Sequence, residues 1–130
     1  SGWSKSTPIN LPETIMMLDK APHDWLFPRM AGVVHHGGAG TTAAGLRAGV
    51  PTMIIPHMSD QPYWGRRIYE LGVGTKPIPR HKLTVDSLAH GIGTLVSDQK
   101  MKAEAAVLRE KIHAEKGVEN AVEIIESLMR

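Results

Sequence analysis

Val33-Val34-His35-His36-Gly37-Gly38-Ala39-Gly40-Thr41-Thr42 decides how the rest of the chain is read. A short apolar run stops in two histidines, a glycine-rich turn follows, and small residues then open a helix. The β-branched valines favour a strand. Gly37, Gly38 and Gly40 let backbone approach a bound anion closely. Amides near Gly40, Thr41 and Thr42 would point at that anion, and the helix end adds partial positive charge. The Thr41 hydroxyl offers a further donor to a phosphate oxygen. The same glycines would also serve a tight turn that holds nothing, but the paired histidines just before them favour a phosphate seat.

Working outward, Gly32 joins the strand upstream, and the helix over residues 41–48 is closed by Gly49-Val50-Pro51. Thr52-Met53-Ile54-Ile55 predicts the next strand, ended by Pro56. Asp60 is a candidate N-cap for a helix reaching Leu71, with Pro62 in its first turn. Gly72 and Gly74 break that helix. Nearer the start, Thr14-Ile15-Met16-Met17-Leu18, between Pro12 and Asp19, predicts a buried strand. Pro22 permits a turn, and Asp24 is placed to cap a short helix over residues 25–29.

Residues 75–79 predict a short edge strand, kept out of a sheet interior by Pro77 and Pro79. Thr84 is placed to cap a helix over residues 85–96, with Val85, Leu88, Ile92 and Leu95 on one face. Met101, Ala105, Leu108 and Ile112 mark a further helix, and Val118, Val122, Ile125 and Met129 another. Strands alternating with helices at this spacing predict an α/β, Rossmann-like parallel sheet with helices on both faces. Ligands of such folds bind beyond the carboxyl ends of the strands. His35 and the 56–61 loop both fall at that edge.

Composition narrows the classes. The 130 residues make one domain of ordinary apolar content, 42%, with no run long enough to cross a bilayer. The net charge of +2, from 15 basic and 13 acidic side chains, helps retain an anion but is no nucleic-acid footprint. Charges around residues 100–116 are mixed in sign and read as a solvated helix face. Cysteine is absent, which removes disulfides and thiolate ligands and fits a reducing, cytoplasmic setting. The polar Ser1-Gly2 start is no signal peptide, and Trp3 beside it reads as the inside of a domain, so a piece of a longer protein is expected.

His35 and His36, adjacent on a strand, point to opposite faces, so one would donate to phosphate while the other packs or bonds backbone. The seven histidines show no compact metal-ligand spacing, and no metal is expected. The glycines match neither a Walker loop nor the dinucleotide fingerprint, and there is no serine elbow. Asp60 and Gln61, a carboxylate and an amide at a helix start, suit the hydroxyls of a hexose. Asp60 could instead only cap its helix. Trp25 and Trp64 read as core packing or as cleft surface, and Trp3, at an expected strand end, as a lining for a base or diphosphate.

Pro22-His23-Asp24-Trp25-Leu26-Phe27-Pro28, the His35–Thr42 stretch, Arg47-Ala48-Gly49-Val50-Pro51 and Asp60-Gln61 together resemble inverting, nucleotide-sugar-dependent glycosyltransferases built from two facing Rossmann-like domains. Sterol glucosyltransferases are the nearest subgroup, with macrolide and glycopeptide enzymes behind them. The resemblance spans the chain but only most of the carboxyl-terminal, donor-binding half of such an enzyme.

It implies that His35, with His36, Gly38, Gly40 and Thr41, holds the donor diphosphate, and that Asp60 and Gln61 bind glucose. It also implies UDP-glucose or a related donor, no cofactor, and a sterol or other hydrophobic alcohol as acceptor. The base that deprotonates the acceptor belongs to the other domain, so the isolated chain is expected to be inactive and open to self-association. A cytoplasmic location is implied, with peripheral membrane association of the complete enzyme left open. The chain departs from the pattern twice: Lys20 stands where many relatives stack tryptophan on uracil, and His23 where many have glutamine. Trp3 and His23 are therefore the candidate base or cleft lining. A non-catalytic nucleotide-sugar module, one subunit of a split enzyme, and an epimerase or lipid-sugar transferase on the same architecture remain the alternatives.

Overall fold

The computed structural model describes residues 10–129. Trp3, and with it the expected base lining at that position, lies outside the described residues.

Two short strands, β1 (Val33–His35) and β2 (Thr52–Ile54), pair in parallel, with Val33 opposite Thr52, Val34 opposite Met53 and His35 opposite Ile54. Between them runs α2 (Ala39–Ala48), which starts two residues earlier than its sequence suggests and ends at Gly49 in the left-handed conformation. It follows α1 (His23–Leu26), which a single 3-10 turn, Phe27–Arg29, extends. The expected Asp24 cap does not form. The helix begins at His23, behind Pro22, and the Asp24 carboxylate accepts from the neighbouring Trp25 N–H instead.

Alternation sends successive side chains of β2 to opposite faces. Met53 packs with Leu95, Met101 and Leu88, from α4 (Val85–Ser97) and α5 (Gln99–Ala114). Ile54 packs with Ile68 of α3 (Gln61–Glu70), Val73, Ala105 and Leu46. Helices thus cover both faces of β2, and all three of its residues are buried. The contact with α4 is close: a Cβ on Gly91 would stand 2.5 Å from Met53 Sδ. On β1, Val33 is buried with Phe27 and Val50, but Val34 on the opposite face stays 39% exposed. Among the described residues, no helix covers that face of β1.

The run at residues 14–18 is not a buried strand. It pairs with nothing in the described sheet, and Ile15, Met16, Met17 and Leu18 are each more than half exposed. Residues 75–79 form no strand either. A single parallel bridge joins Gly74 to Thr52, one residue ahead of the expected start. The chain then runs beside β2, donating from Thr75 to Thr52 O, from Ile78 to Ile54 O and from Arg80 to Pro56 O. Pro77 and Pro79 have no N–H to give, which prevents a regular ladder.

Thr84 does cap α4, in a reciprocal box with Ser87. Of the expected α4 face, Leu95 is buried and Leu88 half-buried, while Val85 and Ile92 face solvent. The buried line runs Leu88–Gly91–Leu95 because the sheet surface meets only that narrow stripe. In α5, Met101 and Ala105 are buried as their spacing predicts, with Leu108 and Ile112 half-buried beside them. The last helix, α6 (Gly117–Leu128), forms, but Val118, Val122, Ile125 and the following Met129 are all exposed. No helix of the described residues is long and apolar enough to cross a membrane.

Candidate functional site

The site forms where β1 and β2 end. His35 closes β1 and shares its sheet face with Val33, beneath α2. His36 lies one residue past the strand end, where alternation no longer applies, and it is exposed while His35 is half-buried. Their rings meet edge-on, with centroids 6.2 Å apart.

Gly37 then reverses the chain with φ +92°, a conformation that costs a side chain dearly. It is also where the two candidate segments touch. A Cβ there would fall 2.6 Å from Ile54 Cγ2 and 3.3 Å from the Gln61 carbonyl. The histidine–glycine loop thus lies directly against the start of α3.

The Gly37 N–H donates to His35 Nδ1 at 3.0 Å. That bond makes Nδ1 the acceptor nitrogen and leaves the ring proton on Nε2. Nε2 is buried and has no hydrogen-bond partner among the described residues. Burial first, and then the nearby His36 and His23, lower the pKa of His35 to about 4, so the ring is neutral at pH 7. His35 therefore performs both tasks that the sequence divides between two histidines: it ties the backbone and keeps a donor in reserve.

Gly38 is the N-cap of α2, and the first intrahelical bond runs from Thr42 N–H to Gly38 O. The amides of Ala39, Gly40 and Thr41 precede that bond and have no carbonyl within the helix. No cap side chain serves them, since the N-cap is glycine. Space beside Gly40 is open. Thr41 is half-buried. Thr42, which the sequence suggests only for its amide, has its hydroxyl fully buried and without a partner among the described residues. A threonine one position beyond Thr41 turns toward the sheet, and helical periodicity with Gly45 could have revealed it.

At the second strand end, Asp60 holds the N-cap position of α3, but its carboxylate makes no cap bond. Its Oδ2 accepts instead from the Trp64 indole N–H at 2.8 Å, one turn along. Gln61 Oε1 accepts from the His57 and Met58 amides, at 2.7 and 3.1 Å. Ser59, before them, carries a positive φ of 57°. The loop is thus folded back on its own helix, and of the polar atoms proposed for sugar, Asp60 Oδ1 and the Gln61 NH2 remain without partners among the described residues.

His23 sits near this edge, stacked on Phe27 with centroids 4.5 Å apart. Trp25 is 55% exposed beneath the Arg29 guanidinium, which stands 4.6 Å from its ring centre. Trp64 packs against the Ile54–Ile68 core. Lys20 is exposed. Cavities also lie elsewhere. One of about 420 Å³ is floored by Met53 and Gly91, and one of about 270 Å³ lies between Arg47, Arg109 and His113. Among the described residues, no three His, Asp or Glu side chains are grouped to hold a metal ion.

Residues 3–128 match the model of the erythromycin biosynthesis protein CIII-like C-terminal domain. The chain is 46% identical over 122 residues to a sterol 3-beta-glucosyltransferase of Arabidopsis thaliana, covering 93% of this chain and 19% of that protein. It is 42% identical over 116 residues to the O-mycaminosyltylonolide 6-deoxyallosyltransferase of Streptomyces fradiae, covering 89% of this chain and 28% of the other.

Among solved structures, the glycosyltransferase VinC in complex with dTDP superposes with TM-score 0.80 at 30% identity, covering 91% of this chain and 31% of that one. The spinosyn forosaminyltransferase SpnP shares the fold, with TM-score 0.89 at 21% identity, over 96% of this chain and 34% of that one. The chain spans about a fifth of the length of the plant sterol enzymes it matches.

Proposed function

The chain belongs to the erythromycin biosynthesis protein CIII-like C-terminal domain family of GT-B glycosyltransferases, and from that premise we propose that it binds the nucleotide-sugar donor of a glycosyl transfer. In this reading the diphosphate lies across the turn between β1 and α2. It accepts from His35 Nε2, from the Gly40 and Thr41 amides and from the Thr41 hydroxyl, with Gly38 and His36 shaping the loop. Asp60 and Gln61 take the sugar hydroxyls. His23 lines the nucleotide side. The donor is UDP-glucose and the acceptor a sterol or similar hydrophobic alcohol, in keeping with the names of the plant relatives. The solved relative with dTDP supports a nucleoside diphosphate as the ligand class.

The observation that carries this reading is the buried Nε2–H of His35, which has no acceptor among the described residues. A donor left without an acceptor inside a protein costs about 1–3 kcal/mol. A phosphate oxygen would satisfy it. Nε2 is closed to solvent, so a phosphate oxygen reaches it only as the groups that cover it move aside.

Transfer follows from the same groups. An acceptor oxygen, deprotonated by a base in the amino-terminal domain, attacks C1 of the sugar, and the nucleoside diphosphate leaves with inversion. Negative charge grows on the leaving oxygen as the bond breaks. Fixed donors aimed at that oxygen stabilise the transition state more than the ground state. Histidine and helix amides supply this without a metal or cofactor. The complete protein then works in the cytoplasm, at a membrane surface where its acceptor is a sterol.

The test is glucosyl transfer by the complete enzyme carrying His35→Ala. Turnover should fall far more than folding stability. Loss of activity only in proportion to loss of fold would remove the role.

A further inference from the structure

Among the described residues, the Asp60 carboxylate is held from one side by a single group. Trp64 lies four residues on, in the first turn of α3, and its indole N–H reaches Asp60 Oδ2 at 2.8 Å. Its backbone N–H bonds the Asp60 carbonyl as well, at 3.2 Å. The ring itself has little freedom. It packs on the core of Ile54 and Ile68, and Tyr63 meets it edge-on with centroids 5.2 Å apart.

We propose that Trp64 is a positioning residue for the donor sugar: its indole N–H fixes the Asp60 carboxylate so that Oδ1 alone faces the sugar hydroxyls. The proposal rests on the reading of Asp60 as a sugar ligand. A free aspartate at a helix N-cap would turn its carboxylate to the helix amides, and here that capping bond is absent. The indole competes for the carboxylate and wins because its ring is already anchored in the core. Gln61 complements this arrangement. Its Oε1 is occupied by the His57 and Met58 amides, so it meets a sugar as a donor. One acceptor and one donor, each with its other end tied to protein, give the sugar a fixed pattern to match. Preorganised polar groups of this kind discriminate better than mobile ones, because their orientation is not paid for on binding.

Trp64→Phe keeps an aromatic ring on the core and deletes only the N–H. The readout is the ratio of UDP to UDP-glucose dissociation constants, which isolates the sugar's share of binding, measured by NMR titration of this chain. Trp64→Phe should reduce that ratio by about three- to tenfold, the size of a lost hydrogen bond to a charged group, and Asp60→Asn should reduce it similarly. If Asp60→Asn reduces the ratio and Trp64→Phe does not, the positioning role is overturned while the sugar site stands. If wild type binds UDP and UDP-glucose equally, the sugar site itself is wrong and Trp64 has nothing to position. The contact is also read in the empty protein. The Trp64 indole N–H resonance should move upfield in Asp60→Ala, which removes the acceptor, and an unmoved resonance overturns the bond whatever the donor does.

Discussion

The Gly37 backbone N–H donates to Nδ1 of His35, two residues before it, at 3.0 Å. This one bond sets the tautomer of the ring, aims the remaining N–H and joins the strand end to the glycine turn. The reversal at Gly37 that makes it possible also presses the turn against α3. The histidine–glycine turn and the Asp60–Gln61 helix start, proposed for phosphate and sugar, are therefore parts of one construction.

His35→Ala should weaken UDP binding by about tenfold or more, the worth of a hydrogen bond to a charged group. Calorimetric titration beside a thermal melt separates this from damage to the fold. A variant that binds UDP like wild type would show that the buried N–H is not the phosphate donor.

The pH dependence of stability follows from the same ring. His35 titrates near 4 in the folded chain and near 6.5 when exposed. Between those values the unfolded chain holds the proton and the folded chain does not, so stability rises with pH. The contribution is fully present above pH 6.5 and is lost as pH falls toward 4. Urea unfolding midpoints between pH 4 and pH 7 should therefore slope less in His35→Gln than in wild type. Parallel curves would contradict the burial of the neutral ring.

Gly37→Ala combines a positive φ with a Cβ that has no room beside Ile54. It should destabilise the chain by about 1–3 kcal/mol and abolish UDP binding. Denaturant unfolding gives the first effect and titration the second. A stable Gly37→Ala chain with normal affinity would mean the loop can be built another way.

Thr84→Ala supplies the contrast. It removes the capping box of α4, far along the chain from the donor residues, and should cost about 1 kcal/mol of stability. The UDP affinity of the folded fraction should not change. A matching fall in affinity would imply that α4 and the donor site are coupled.

The sequence made legible what depends on local chemistry. The β-branched pair before a glycine turn became β1, and the run closed by Pro56 became β2. Gly49-Val50-Pro51 ended α2 as its residue types require, and Thr84 capped α4. The failures are failures of partnership. Residues 14–18 are apolar enough for a strand, but a strand exists only by pairing, and the described sheet offers them none. Residues 75–79 lie along β2, yet two prolines interrupt the ladder.

At the candidate site, the residue types and their convergence were readable. The bonds between them were not. Asp60 and Trp64 stand at i and i+4, a spacing visible in the sequence, but only the packing of the indole decides whether the carboxylate caps the helix or meets the ring. The Nδ1 bond of His35 likewise depends on the backbone angle at Gly37.

The most direct measurement is an amide NMR titration of the chain with UDP. The account predicts that the largest shifts fall on Gly37 to Thr42, and that they disappear in His35→Ala while the spectrum stays folded. Saturable shifts centred instead on the cavity between Arg47, Arg109 and His113, with Gly37 to Thr42 unmoved, would contradict it.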